Sequence, residues 1–228
     1  MAGRTGRLVR RISLVSVVAA AALAAVGLAA CDDDGDEETS ATDAVTTGVS
    51  GAAADPERFL MQEGEEPGFR PIGRAEARAH HQFPEGVDTI TGVEAFVEDL
   101  GLTPADAQRL EDEGFISFTA GPIRGPQTAG VSNVSLFATA EGAQQNIAYE
   151  LRPDVIRAFG PVRGLEFFTV PGIPGGRGWT ASKPHVGNVY WVQGRCVLGL
   201  GNQGPGPFPG PLSTGAQAIY ERTNGECP

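Results

Sequence analysis

The stretch Asn188-Val189-Tyr190-Trp191-Val192-Gln193-Gly194-Arg195-Cys196-Val197-Leu198-Gly199-Leu200 decides the fold class. Two β-rich runs, 188–193 and 196–200, are separated by two residues with glycine first. Such a connection suits a type II′ turn, whose twist matches that of the strands it joins. The spacing predicts an antiparallel hairpin. Successive side chains of a strand point to opposite faces. One of Tyr190 and Trp191 must therefore face the core, and the other faces solvent, a helix or a ligand.

Upstream, Leu165–Val170 reads as a further strand leading into a Gly/Pro loop at 171–178. Phe167, Phe168, Trp179, Tyr190 and Trp191 then fall within 25 residues. Two readings fit this aromatic set. It forms a second buried face beneath helices, or Trp179, Tyr190 and Trp191 line an apolar cleft or partner patch rimmed by the Phe208 loop. Downstream, the Gly/Pro alternation of 204–211 cannot join a central strand and reads as an extended loop. Ser213 is placed to cap a last helix carrying Ala216, Ile219 and Tyr220.

Toward the N-terminus the period changes. Ile116, Phe118 and Ala120 alternate with Ser117 and Thr119, and Val134, Leu136 and Ala138 alternate with Asn133, Ser135 and Phe137, predicting two half-buried strands. Thr139 caps a helix in which Ala143, Ile147 and Leu151 recur. Val93, Phe96, Val97 and Leu100 form the strongest helical stripe. Thr103-Pro104 opens another helix, with Ala107 and Leu110 on one face, stopped by Gly114. Asp55-Pro56 opens a short helix carrying Phe59, Leu60 and Met61, and 63–73 reads as loop or edge strand. Hairpin-joined strands with helices in separate blocks predict an α+β domain. Its antiparallel sheet carries helices mainly on one face.

The chain has 228 residues, with 32 glycines and 17 prolines, so long loops and short elements are expected. Its cations are 16 arginines and Lys183, a usage typical of a GC-rich genome. The net charge of −11 argues against nucleic-acid binding, which needs clustered cations. Residues 1–30 read as a processing signal. Arg4, Arg7, Arg10 and Arg11 precede an apolar run from Leu14 to Leu28, shorter than the ~20 residues that span a bilayer. After Cys31 come Asp32, Asp33, Asp34, Asp36, Glu37, Glu38 and Asp43 among small residues. High charge without large apolar side chains predicts a disordered acidic tether over 31–54. With those seven acids and the four N-terminal arginines set aside, 21 acids and 13 cations remain for a single domain at 55–228.

Leu28-Ala29-Ala30-Cys31 resembles the lipobox of bacterial lipoproteins, matching at all four positions where that family places it. The resemblance implies that Cys31 becomes the mature N-terminus, carries diacylglycerol and anchors the chain on the extracytoplasmic side of a membrane. The Arg10-Arg11 pair also suggests twin-arginine export, although Ser13 departs from that motif, and the route stays open. With Cys31 assigned to lipid, Cys196 and Cys227 are left as an even pair in an oxidising compartment. They predict one disulfide from the last helix to the hairpin. Their spacing is not the Cys-x-x-Cys of a redox pair. Pro67-Gly68, Gly114-Phe115, the helix from Thr139 to Ala143, and Cys227 further resemble the small uncharacterised lipoproteins of actinobacteria. No activity comes with that likeness.

The motifs of catalysis and metal binding are weak here. His80 and His81 are adjacent and His185 is distant, with no His-Glu-x-x-His or metal-ligand cysteine spacing. There is no Gly-x-Ser-x-Gly or Ser-x-x-Lys. Glu111 and Glu113 read as a solvated helix face, and the glycine loop before Trp179, with Arg177, does not open a helix as a phosphate cradle would. No catalytic residue, metal or cofactor is expected. The sequence points to a membrane-anchored binding module for a small ligand, lipid or envelope protein. A structural partner of the envelope and, third, a hydrolase are the alternatives.

Overall fold

The computed structural model describes residues 55–227 apart from Phe159 and Pro207, so the expected signal, tether and Cys31 lie outside the described residues. A 3-10 turn at Pro56–Phe59 leads to β1 (Arg70–Pro71), α1 (Arg74–Ala79), β2 (Asp88–Thr91), α2 (Val93–Leu100) and α3 (Pro104–Asp112). The strands β3 (Phe115–Arg124) and β4 (Ala129–Phe137) follow, then α4 (Ala140–Glu150) and α5 (Pro153–Ala158). Next come β5 (Glu166–Thr169), β6 (Arg177–Ser182), β7 (His185–Gln193), β8 (Cys196–Gln203) and α6 (Pro209–Arg222). The eight strands form one antiparallel sheet in the order β1-β3-β4-β8-β7-β6-β5, with β2 also on β3. This is the α+β fold the patterning predicts.

The deciding hairpin closes as expected, with Gln193 opposite Cys196 and Trp191 opposite Leu198. Gly194 has φ +54°, while Arg195 is not among the residues of positive φ, as a type II′ turn requires. The alternation along β7 splits its side chains between two apolar clusters. Val186 and Tyr190 lie in one with Phe96, Leu110, Phe115, Phe118, Phe137, Ile147 and Ile156, from α2 to α5 and the sheet. Val189 and Trp191 lie in the other with Phe59, Met61, Phe208, Leu212, Ala216 and Ile219. Four helices cover one face, and α6 with the 3-10 turn covers the other.

Local chemistry explains most boundaries. Thr103 caps α3 in a capping box with Asp106, and Thr139 accepts from the Gly142 amide at 3.0 Å to start α4. Asp55 accepts from the Glu57 amide at 3.0 Å, but the helix expected there is a single 3-10 turn. The last helix begins at Pro209, so Ser213 lies inside it rather than capping it. Its seat on β7 requires Gly187, where a Cβ would stand 2.6 Å from Phe208 and 2.9 Å from Leu212.

Two differences in the strands have a physical cause. The register of β3 shifts between Phe115 and Ser117, and this bulge carries both Phe115 and Phe118 into the helix-covered core. Strands predicted to be half buried, such as β4, are covered on both faces, because the 3-10 turn and the residues after it close the side that would otherwise face water, with the Met61 amide donating to Ser132 Oγ at 2.8 Å. The strand β6 and the short elements α1, β2 and α5 carry too little periodicity to be predicted.

Candidate functional site

The aromatic residues singled out from the sequence do not form an open patch. Trp179 and Tyr190 belong to the cluster beneath α2–α5, whereas Trp191 and Phe208 belong to the cluster beneath α6. All four are buried, Trp191 completely at 0% exposure. Of the two readings of this set, the buried one holds, as two separate cores, and the cleft or partner patch at Trp179, Tyr190, Trp191 and Phe208 is corrected. The register places Tyr190 and Trp191 on opposite faces, and each face has its own helical layer. Of the aromatic set from Phe167 to Trp191, Phe167 on the edge strand β5 stays open, at 50% exposure. It borders a shallow groove of about 520 Å³ with Leu151, Phe168, Thr169 and Arg177.

The disulfide between Cys196 and Cys227 is formed, and it ties the segment after α6 to the first residue of β8. His80, His81 and His185 are exposed, and among the described residues no group of three or more His, Cys, Asp or Glu side chains could hold a metal ion. The glycine loop connects β5 to β6, where the Gly176 carbonyl accepts from the Val170 amide. Among the described residues no helix is long and apolar enough to cross a membrane.

Two carboxyl sites emerge; the sequence reading places Glu113 of the first on a solvated face and singles out neither Glu150 nor Glu66. The first is an internal network between α3 and α4. Arg109 donates to both oxygens of Glu113 at 2.9 and 2.7 Å and stacks over the Tyr149 ring at 3.9 Å. Asn146 donates to Glu113 at 2.9 Å. Glu113 is thus a buried, paired carboxylate and not part of a solvated face. Glu150 lies 3.6 Å from Arg109, yet neither of its oxygens accepts a hydrogen bond from another described residue. Burial is the main cause that pushes its pKa to about 8, against the pull of Arg109. Glu150 follows Ile147 by three residues, which places it on the buried stripe of α4; that spacing was the available signal.

The second site is open to solvent on one side. The segment 63–70 packs over the β3–β4 turn, with the Phe69 ring so close to Gly125 that a Cβ there would stand 3.0 Å from it. Arg222 of α6 pins this segment through Glu65 at 2.5 Å and the Leu60 carbonyl at 2.8 Å. Between segment and turn lies a depression of about 590 Å³, lined by Glu63, Glu66, Phe69, Arg70, Glu76 and Arg124 among others. Arg70 is committed to Glu76, donating to its two oxygens at 3.0 and 2.7 Å. Arg124 makes no hydrogen bond or ion pair to another described residue.

Glu66 is the unusual group of this depression, with 1% of its surface exposed. Its Oε1 accepts from Asn202 Nδ2 at 2.6 Å, while Oε2 and Asn202 Oδ1 have no partner among the described residues. Burial raises the Glu66 pKa to about 7, opposed by the Asn202 bond. A buried polar atom without a partner costs about 1–3 kcal/mol. Such atoms mark places where water or a ligand completes the bonding. Chemically, the site offers a carboxyl balanced between its neutral and charged forms and, on another wall, a guanidinium that acts on Glu76 through its charge but makes no hydrogen bond to another described residue. It holds no nucleophile–base pair. Nothing in the local sequence Glu65-Glu66-Pro67-Gly68 distinguishes Glu66 from its exposed neighbours, because its burial depends on β8 and α6, which lie more than a hundred residues away.

No protein-family model matches the chain, and no curated protein matches its sequence. Among solved structures, the chain is similar to the extracellular domain of PknH from Mycobacterium tuberculosis. The identity is 12% and the TM-score 0.46, with 75% of this chain and 98% of that domain covered.

Proposed function

We propose that this protein is an extracytoplasmic binding module without catalysis, tethered to the membrane by lipid on Cys31 and taking a small polar ligand in the Glu66 depression. The observation that carries the reading is the unpartnered, fully buried Glu66 oxygen in the wall of a 590 Å³ depression. A group of this kind is left by a site whose bonding a ligand completes. The Cys196–Cys227 disulfide supports an oxidising compartment. The lipobox-like Leu28–Cys31 and the acidic run after it support an anchor with a spacer. Exposed Phe167 on the edge strand favours a second reading, in which an envelope protein docks at β5.

Membrane fractionation combined with nuclear magnetic resonance tests the proposal. Wild type is expected in the membrane fraction and Cys31→Ser in the soluble one, with the domain folded in both. A low-molecular-weight envelope extract is expected to shift the amides of Phe69, Arg124 and Gly125. Cys31→Ser remaining membrane-bound would overturn the anchor. Turnover of an extract component, abolished by a single side-chain change, would overturn the absence of catalysis.

A further inference from the structure

The Glu66 depression has a charge arrangement that narrows its ligand, and the narrowing rests on the binding role just proposed. Three carboxyl groups line it, from Glu63, Glu66 and Glu76, against two guanidinium groups. The Arg70–Glu76 pair is closed on itself by two hydrogen bonds. What remains for a ligand is Glu66 Oε2 as an acceptor, Glu63 near it in sequence, and Arg124, whose charge acts on Glu76 but which makes no hydrogen bond to another described residue. A multivalent anion would meet more negative charge than positive. An acyl chain would leave charged walls desolvated without partners, which is costly. A neutral ligand would leave the Arg124 guanidinium without a carboxylate to pair through its planar fork. A metal ion lacks a set of three ligating side chains among the described residues.

We infer that the depression is a two-point site for a small zwitterion of the α-amino-acid type. The ligand ammonium donates to Glu66, its carboxylate receives the Arg124 guanidinium, and its side chain lies along Phe69. Arginine suits the second role because its planar fork pairs with a carboxylate through two parallel bonds. Asn202 holds the other Glu66 oxygen and so fixes the direction in which Oε2 points. Gly64 and Gly68, at φ +88° and +82°, flank Glu66 and shape the loop that carries it.

The arrangement also sets a pH dependence. An ammonium pairs with Glu66 in its ionised form, so binding releases the proton that the buried acid holds. With a pKa of about 7 for Glu66, the ionised fraction and hence the affinity rise about tenfold from pH 6 to pH 8. The groups around Glu66 are Asn202 from β8, Glu63 and Glu65 on its own segment, Arg70 of β1, Glu76 of α1 and Arg124 of β3. From α6 come the backbone of Gly215 and, farther along, Arg222 on Glu65.

The test uses the purified full chain in detergent with ligand-observed nuclear magnetic resonance. Four pools are compared: α-amino acids of both enantiomers, the matching primary amines, the matching carboxylic acids, and neutral sugars. The amino-acid pool is expected to give a binder that loses at least tenfold in affinity when either charged group is absent. Glu66→Gln and Arg124→Gln are each expected to weaken that binder at least tenfold. Arg124 lies at the rim, so its variant keeps the test decisive even where Glu66→Gln alters folding. Binding of an amine or an acid as tight as that of the amino acid, or an unchanged affinity in Arg124→Gln, overturns the inference. Sugars binding with sensitivity to Glu66→Gln would overturn the zwitterion and leave the pocket standing. No binding from any pool would remove both.

Discussion

Glu66→Gln is expected to stabilise the protein above neutral pH and to leave its stability nearly unchanged in mild acid. Burial moves the Glu66 carboxyl from 4.5 to about 7 on folding. Below pH 4.5 the group is neutral in the folded and unfolded states, and its full contribution to stability is present. As the pH rises toward 7, the unfolded chain gives up its proton while the folded chain keeps it, so stability falls. Above 7 the loss is complete, at roughly 3 kcal/mol for about 1.4 kcal/mol per pKa unit. Glutamine keeps the shape and the oxygen that accepts from Asn202, and it removes the proton. Urea denaturation at pH 5 and pH 8 measures the effect. The variant should match wild type within about 1 kcal/mol at pH 5 and exceed it by roughly 3 kcal/mol at pH 8, equivalent to a melting shift of about 6–12 °C. Glu150 titrates equally in both proteins and drops out of the comparison. A variant no more stable than wild type at pH 8 would refute the reasoning.

Replacing both Cys196 and Cys227 with alanine should lower stability by about 3–4 kcal/mol, the chain-entropy value for a closed loop of 31 residues. The loss is read from denaturation under non-reducing conditions. Trp191→Ala should cost roughly 3–5 kcal/mol, because the ring is wholly buried between β7 and α6. Phe167→Ser, at the exposed edge, should stay within about 0.5 kcal/mol. Similar effects of these two substitutions would contradict the assignment of the aromatic residues to core and surface.

The local elements were legible where one signal dominated. The glycine-first turn at Gly194, the capping threonines Thr103 and Thr139, and the stripe from Val93 to Leu100 each specify a local geometry through a few bonds, and the structure contains all of them. The edge of that legibility lies at Phe115, where a bulge reverses the facing that simple alternation assigns. At Ser213 a plausible cap lost to Pro209, whose fixed φ suits the first helical turn. The disulfide pairing followed from counting cysteines once Cys31 was assigned to lipid.

The candidate site was not legible, for a physical reason. Whether a carboxylate stays in water or becomes a buried acid depends on what packs over it. For Glu66 that is Asn202 of β8 and Gly215 of α6, against which its Cβ rests. Alternation likewise determined that Tyr190 and Trp191 face opposite ways, but not what covers each face. The sequence by itself determined the β7–β8 hairpin, the longer strands β3 and β4 and the caps at Thr103 and Thr139, because these arise from residues within a few positions of one another. The tertiary structure alone decided that α6 closes the second face. That closure buried Trp191 and Phe208, as α2–α5 buried Trp179 and Tyr190 on the opposite face, and it left the Glu66 depression open.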